Sequence, residues 1–533
     1  MKRKLDCFFS GEGKWLRRVL LAAAVVRLIA AIFSEGYIMS DDHFLAVEPV
    51  SSWVHGENYH NWYPNAYNET DHAQPFSYAY YFLNFLILKF CAVIGIVNPF
   101  IQAFVLRLAH AILSLWGVYL FVKLAERLIS SVTWRMYAIW FWVFGGVVTV
   151  FSVHQLVETA CIPFVLLAYL YVLKYFQHER TSAIIIAALA FSFSVGMRYQ
   201  LVFFPLTLGM YFLWKRKWSG AVLFGFFFTL GFALTQIDNL LFWHKPIYQH
   251  LLDYQAYNAT HFADYPSNVF SYFALISYYI FPVITIVFLL SLRRRPSHIV
   301  PSSTGPSHMV PSHEVQIFIG VAIFIVFHLV FPNRQERFLL PAVPFVLLLM
   351  IRTISKRYSC SAPSHEVPSS ARPSSTGPSH LVPSHIVQKA MRWSIYLSAI
   401  YTLSYSFYVP KSKYLEASQA LYERGDFQNV VIDNWKGEES VWLPMHYVGK
   451  FVHPFSMTHK KSLDQLKQQI SHQPLYDSKR LPAPAPNYLV IWGKEESNSR
   501  ARLYEEAGFR IERISTANSE LELGFAVYSL LLF

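Results

Sequence analysis

Residues 15–35 read WLRRVLLAAAVVRLIAAIFSE and residues 40–49 read SDDHFLAVEP, so an apolar run long enough to cross a membrane is followed almost at once by three carboxylates. A crossing needs about 20 mainly apolar residues. The run has the basic start of a signal peptide. No small-residue cleavage site clearly follows Phe33, however, and many apolar runs come later, so it reads as an uncleaved first membrane helix. Further runs at 103–123, 136–153, 156–175, 182–196, 199–214, 219–237, 268–292, 315–331, 338–352 and 393–410 bring the expected crossings to about eleven.

Composition agrees with a membrane protein. The 533 residues are 54% hydrophobic and 17% aromatic with only 15% charged, and the mean hydropathy is +0.30. A formal charge of +12 would suggest nucleic acid in a soluble domain. Here the basic residues stand in short clusters between apolar runs, as in Lys2-Arg3-Lys4, Arg17-Arg18, Lys215-Arg216-Lys217 and Arg293-Arg294-Arg295. Such clusters are topology signals, and no nucleic-acid partner is needed. Cys7, Cys91, Cys161 and Cys360 form no disulfide pattern.

Charge parity orients the chain. The stretch 78–97 contains Lys89 and is read as lying in the interface with that lysine snorkelling. With the N-terminus inside, the basic segments at Glu126-Arg127, 174–180, 215–217, 293–295 and 352–357 are then all cytoplasmic. The outside receives the first loop at 36–102, the loops at 153–157, 196–200, 238–267 and 332–337, and the tail from about 411. The expected fold is thus a polytopic α-helical domain over 1–410 and a small non-cytoplasmic α/β domain over 411–533. The tail has a helical pattern at 414–424 and strand-like stretches at 430–432, 488–491 and 509–511. Two cytoplasmic loops, 296–315 and 361–387, repeat the words Pro-Ser-His-x-Val and Pro-Ser-Ser and read as disordered spacers rather than metal sites.

Ionisable residues at a membrane boundary are functional candidates, because burying them is costly without a partner. If the chain turns helical after Ser40 or Asp41, then Asp41 and Glu48, seven apart, share one face; the same spacing fits Ser40 and Asp41 simply capping an interfacial helix. Arg107, Arg198, Arg334 and Arg337 collect at the outer surface against the positive-inside trend. Forked guanidinium groups reading a lipid phosphate would account for them, as would pairing with Glu336 or lipid headgroups. Asp238 ends a span before an aromatic loop, 242–272, that either lines an acceptor site or forms an interfacial belt. His55, His60 and His72 lack ligand spacing, and Gly11-x-Gly13 lacks the context of a nucleotide fold.

At these segments the chain resembles the mannosyltransferases of glycosyltransferase family 22, of GT-C fold, which include the third glycosylphosphatidylinositol mannosyltransferase and the lipid-linked oligosaccharide mannosyltransferases. The family's Asp-Glu-x-Phe-x-x-x-Glu-Pro pattern is similar to Asp41-Asp42-His43-Phe44 with Glu48-Pro49. Arg107-Leu108-Ala109-His110-Ala111-Ile112-Leu113-Ser114 and Gln155-Leu156-Val157-Glu158-Thr159 follow two further patterns. Arg198 falls at an Arg-Pro-Thr motif whose last two residues are Tyr199-Gln200 here, and Asp238 at an Asp preceding an aromatic stretch. The family's His-Lys-Glu-x-Arg-Phe appears as Asn333-Arg334-Gln335-Glu336-Arg337-Phe338, where His→Asn removes a titratable group.

The resemblance implies transfer of mannose from a polyprenyl-phosphate mannose donor to a glycan or glycolipid acceptor at the luminal or periplasmic face. Inversion at the anomeric carbon needs one base, while the departing phosphate needs charge stabilisation more than an acid. On that reading Asp41 is the base, with Asp42 and Glu48 as positioning groups. Arg337, Arg334, Arg198 and Arg107 hold the donor phosphate, and Glu158, Asp238, Asn333 and Glu336 line the substrates. No cofactor is required beyond the donor, and a divalent metal is left open. The expected partners are membrane lipids, the lipid-linked donor and the acceptor. The lean chain and its unusual repeats favour a bacterial inner membrane over the endoplasmic reticulum. A flippase of lipid or polysaccharide is the competing class, but its polar groups would sit at mid-membrane, whereas the charges here gather at outer ends.

Overall fold

The computed structural model describes residues 13–40, 42–57, 78–260, 270–274, 282–293, 312–331, 334–358, 384–434, 443–471, 484–492, 497–514 and 525–531. Most of the chain before residue 410 is helical and packs around one continuous apolar core that runs from Val19 to Met391. The first apolar run is a single helix, Gly13–Phe33. Among the described residues, four helices are long and apolar enough to cross a membrane: Pro99–Leu128, Val157–His178, Trp218–Thr235 and Glu336–Tyr358. Shorter apolar helices accompany them, including Ala79–Val93, Thr181–Met197 and Tyr199–Trp214. The expected number of crossings therefore exceeds the helices that meet the length criterion. Of the repeat segments, 296–311 and 361–383 lie outside the described residues, and helices start at Ser312 and Ser384.

The run expected as one span at 136–153 is broken. Helix Val132–Val143 stops, Gly146 turns through φ 57°, and a short helix resumes at Val147–Phe151. Irregular backbone at membrane depth is tolerated only where its polar groups are satisfied inside the protein, and here they are. Arg27 donates from Nε to Ser114 Oγ at 2.8 Å, and its Nη1 lies 3.5 Å from the Val143 carbonyl at the broken helix end. Gly145 N–H donates to Thr149 Oγ1 and Gly146 N–H to Thr402 Oγ1, both at 3.0 Å, while Ser398 donates to the Phe144 carbonyl. A buried cation at the negative end of a helix also complements its dipole. Arg27→Leu is expected to lower the unfolding temperature of the detergent-solubilised protein, each orphaned polar group costing about 1–3 kcal/mol. A melting curve unchanged from wild type would remove Arg27 from this role.

Two close approaches set one end of the bundle. A Cβ on Gly36, whose φ is +84°, would stand 2.4 Å from the Pro410 carbonyl, so the chain leaving the first helix abuts the chain leaving Ser384–Ser406. A Cβ on Gly196 would stand 2.3 Å from Thr235 Oγ1. Its absence lets the ends of Thr181–Met197 and Trp218–Thr235 converge, which brings Arg198 and Asp238 into one region.

Beyond residue 410 a five-stranded sheet forms in the order β2-β1-β3-β5-β4, with β1 Val430–Asn434, β2 Phe455–Thr458, β3 Tyr488–Trp492, β4 Arg510–Arg513 and β5 Phe525–Leu531. β2, β1 and β3 are parallel, with Val431 opposite Phe455 and Leu489, whereas β5 runs antiparallel to β3 and to β4. Side chains alternate across the sheet. Val430, Ile432 and Val490 pack with Leu421 of helix Ser412–Arg424 on one face, and Val431, Leu489 and Ile491 pack with Leu466 and Tyr504 on the other. Helices on both faces explain why β1 and β3 read as unbroken apolar runs. β2 and β5 were not expected from the sequence.

Candidate active site

The helix break has a geometric consequence. The chain turns after Phe151 and re-enters the bundle at Val157, which puts Glu158 in the first turn of a new helix, buried at 1% exposure. Facing it is a 3-10 helix, Glu336–Ala342, with Arg337 in its first turn. Arg198 caps helix Thr181–Met197 in extended conformation. Asp42 opens a π-helix, Asp42–Val47, a form that occurs frequently at functional sites.

These four side chains form one network. Arg337 Nη1 donates to Asp42 Oδ1 at 3.2 Å, and Arg337 Nε lies 3.5 Å from Glu158 Oε1. The same Glu158 oxygen pairs with Arg198 Nη1 at 2.9 Å. The Phe338 ring stacks beneath both cations, 4.6 Å from the Arg198 guanidinium carbon and 5.7 Å from that of Arg337. Two carboxylates and two guanidiniums balance in charge, which is what makes their burial tolerable. The bonding is not saturated: Glu158 Oε2 and Arg198 Nε and Nη2 make no hydrogen bond among the described residues. Buried polar atoms left unpaired in this way call for an explanation, and a ligand is one.

A second acidic centre adjoins the first. Asp238 Oδ2 bonds His250 Nε2, both residues being buried, and the Tyr78 ring lies 5.4 Å from the imidazole. Tyr199, the neighbour of Arg198, donates to Gln236 Oε1 at 2.6 Å and packs at 5.2 Å against Tyr254, which bonds Gln200. Tyr80 turns the other way and lies 3.0 Å from His110 Nε2. The Tyr78-Ala79-Tyr80-Tyr81 stretch thus enters helix Ala79–Val93 beside both centres.

The remaining candidates are placed apart from this network. Arg107 donates from Nε to the Ala31 carbonyl at 2.8 Å, holding the C-terminal end of the first helix. Arg334 donates to the Leu329 carbonyl at 3.0 Å, and Glu336 is exposed. Glu48 is fully buried, with Oε1 3.0 Å from His43 Nε2. Asp41 and Asn333 lie outside the described residues. Among the described residues no cluster of His, Cys, Asp and Glu could hold a metal ion. Sequence reasoning had not singled out His250, Tyr254, Tyr80 or Phe338. Phe338 stood inside the quoted motif, and the aromatic density of 242–272 was noted without the histidine that matters in it.

Comparison with known proteins gives a family and a fold. Residues 18–423 match the Alg9-like mannosyltransferase family. No curated protein sequence matches significantly. Among solved structures, ArnT from Cupriavidus metallidurans bound to undecaprenyl phosphate superposes with a TM-score of 0.58 at 11% identity, covering 98% of each chain. Its apo form gives 0.56 at 12% identity. The mycobacterial arabinofuranosyltransferase AftD gives 0.51 at 14% identity, covering 96% of this chain and 40% of its own. The fold is that of multi-pass membrane glycosyltransferases of the GT-C kind.

Proposed function

The chain belongs to the Alg9-like mannosyltransferase family, and from that premise we propose that it transfers mannose, with inversion, from a polyprenyl-phosphate mannose donor to a lipid-linked glycan acceptor on the non-cytoplasmic face of its membrane. It is a glycosyltransferase by family, and the donor, the acceptor and the face are our reading. The observation that carries it is the buried Asp42–Arg337–Glu158–Arg198 network with unspent donors on Arg198. A lipid phosphate that leaves the anomeric carbon with the bonding pair gains a second negative charge, and so needs preorganised cations in a site that excludes water. Guanidiniums already held by carboxylates and by the Phe338 ring supply them without reorganisation. That the structurally similar ArnT binds undecaprenyl phosphate supports the same kind of lipid handle.

In the proposed step, the acceptor hydroxyl oxygen attacks the anomeric carbon as the bond to the phosphate oxygen breaks. The bonding pair leaves with the phosphate, and the hydroxyl proton passes to Asp41. Arg337 and Arg198, with Arg334 at the rim, receive the phosphate. Asp42 orients Arg337, while Asp238, fixed by His250, and Glu158 contribute to the acceptor side.

Membranes expressing the protein, supplied separately with radiolabelled polyprenyl-phosphate mannose and polyprenyl-phosphate glucose, are expected to pass only the mannose label to a lipid-linked acceptor. Transfer of glucose alone would assign another sugar to the same site. Transfer of neither would overturn the reading.

A further inference from the structure

The four-residue helix Met445–Val448 belongs to the C-terminal sheet domain, yet half of it faces the membrane bundle. Met445 and Val448 pack into the sheet core with Val430 and Ile432. His446 and Tyr447, between them, point the other way and are buried against the segment that begins at Asp42.

The contacts there are specific. The His43 ring is held between two tyrosines, Tyr37 at 4.6 Å with 23° between planes and Tyr447 at 5.3 Å with 9°. Glu48 Oε1 accepts the His446 backbone N–H at 2.8 Å, and Ser51 Oγ lies 2.8 Å from His446 Nδ1. Tyr447 also packs on Phe100 at 5.3 Å, and Tyr37, Phe44, Ala103 and Leu415 complete an apolar cluster around it. The π-helix therefore has two working sides. Asp42 reaches Arg337, while His43, one residue on, is gripped by the C-terminal domain.

We propose that Met445–Val448 is a positioning element of the active site: through the Tyr447–His43 stack and the His446–Glu48 bond, the C-terminal domain holds the π-helix that opens at Asp42 in the register from which Asp42 meets Arg337. This inference rests on the transferase reading above, in which Asp42 orients the phosphate-binding Arg337. A displacement of about 1 Å at a reacting group costs up to roughly 10²-fold in rate, so a clamp one residue away from Asp42 has leverage over turnover.

Titration of the joint follows from its burial. Desolvation pushes Glu48 up to about 8 and pushes His43 and His446 each down to about 3. The groups facing Glu48 are His43 on its own segment, Tyr37 from the first helix's exit, and His446 and Tyr447 from the sheet domain, with His55 near His446. Burial keeps His43, His446, Tyr37 and Tyr447 neutral at pH 7. Because the folded Glu48 binds its proton more tightly than an unfolded carboxyl does, the docked state is favoured fully below about pH 4.5. That advantage drains as pH rises and is gone above about 8, where a buried anion forms.

The test uses the full-length protein in detergent micelles. Hydrogen–deuterium exchange is followed in peptides covering 42–54 and, as a control, 430–434 and 488–492, together with transfer kinetics. Tyr447→Leu is expected to raise exchange in 42–54 by roughly tenfold while the strand peptides stay protected, and to lower kcat by roughly tenfold to a hundredfold with donor KM nearly unchanged. Tyr447→Phe, which keeps the stacked ring, restores both. Separately, wild-type turnover falls above about pH 8 and Glu48→Gln, which keeps the acceptor for His446 N–H, flattens that limb. Exchange in 42–54 that is indifferent to Tyr447→Leu, or an alkaline limb that survives Glu48→Gln, overturns the proposal. The exchange readout needs no substrate, so a wild type that transfers no sugar refutes the transferase reading and leaves the coupling decided by exchange.

Discussion

Arg337→Ala is expected to lower kcat for transfer from lipid-phosphate mannose by roughly 10²–10³-fold, the range found when a preorganised donor to developing charge is removed. Arg337 is the only residue of the network placed against both carboxylates, Asp42 and Glu158. Its loss leaves those two anions facing Arg198 alone, so the site changes from balanced to net negative just where a phosphate must accept an electron pair. Arg337→Lys recovers little of the loss, because a point-like ammonium cannot span Asp42 Oδ1 and Glu158 Oε1 as the planar fork does, and it loses the stack on Phe338. Single-turnover transfer of labelled mannose measures the effect without interference from product release. An alanine variant within about threefold of wild type would take Arg337 out of the mechanism.

The membrane class and the family are legible in the sequence because both are written in local patterns. Apolar runs of fixed length and short motifs such as Glu48-Pro49 or Arg337-Phe338 can each be read within a few residues of sequence. The partners within the site were not legible. Arg337 and Asp42 are 295 residues apart, and no spacing rule connects them. The sequence offers a lipid phosphate, Glu336 or lipid headgroups as partners for the four arginines, whereas the structure ties Arg198 and Arg337 to Asp42 and Glu158 and sets Arg107 and Arg334 on backbone carbonyls. Hydropathy also hides the break at Val143, since Phe144 and Val147 keep the average high while Gly145-Gly146 bends the chain. The two glycines were the available sign. β2 has four residues and β5 lacks polar alternation, so neither stood out as a strand.

Adjacent aspartates at 41 and 42 are expected to respond differently to the same substitution. Asp42 Oδ1 accepts from the Arg337 guanidinium, so its electron density is committed to orienting a cation, and a carboxylate so engaged makes a poor base. Asp42→Asn keeps a carbonyl oxygen toward Arg337 and should cost roughly tenfold, mostly through a looser guanidinium. Asp41→Asn removes the proton acceptor itself and should cost roughly 10²–10⁴-fold, the usual worth of a positioned base. The two are separable by pH as well as by magnitude. In the Asp41 variant the residual rate should lose the acid limb that reports titration of a carboxylate, because nothing remains to be protonated there. In the Asp42 variant that limb persists, shifted only by the change in nearby charge. Equal losses, or an acid limb retained by Asp41→Asn and lost by Asp42→Asn, would exchange the two assignments, making Asp42 the base and Arg337 the group that tunes it.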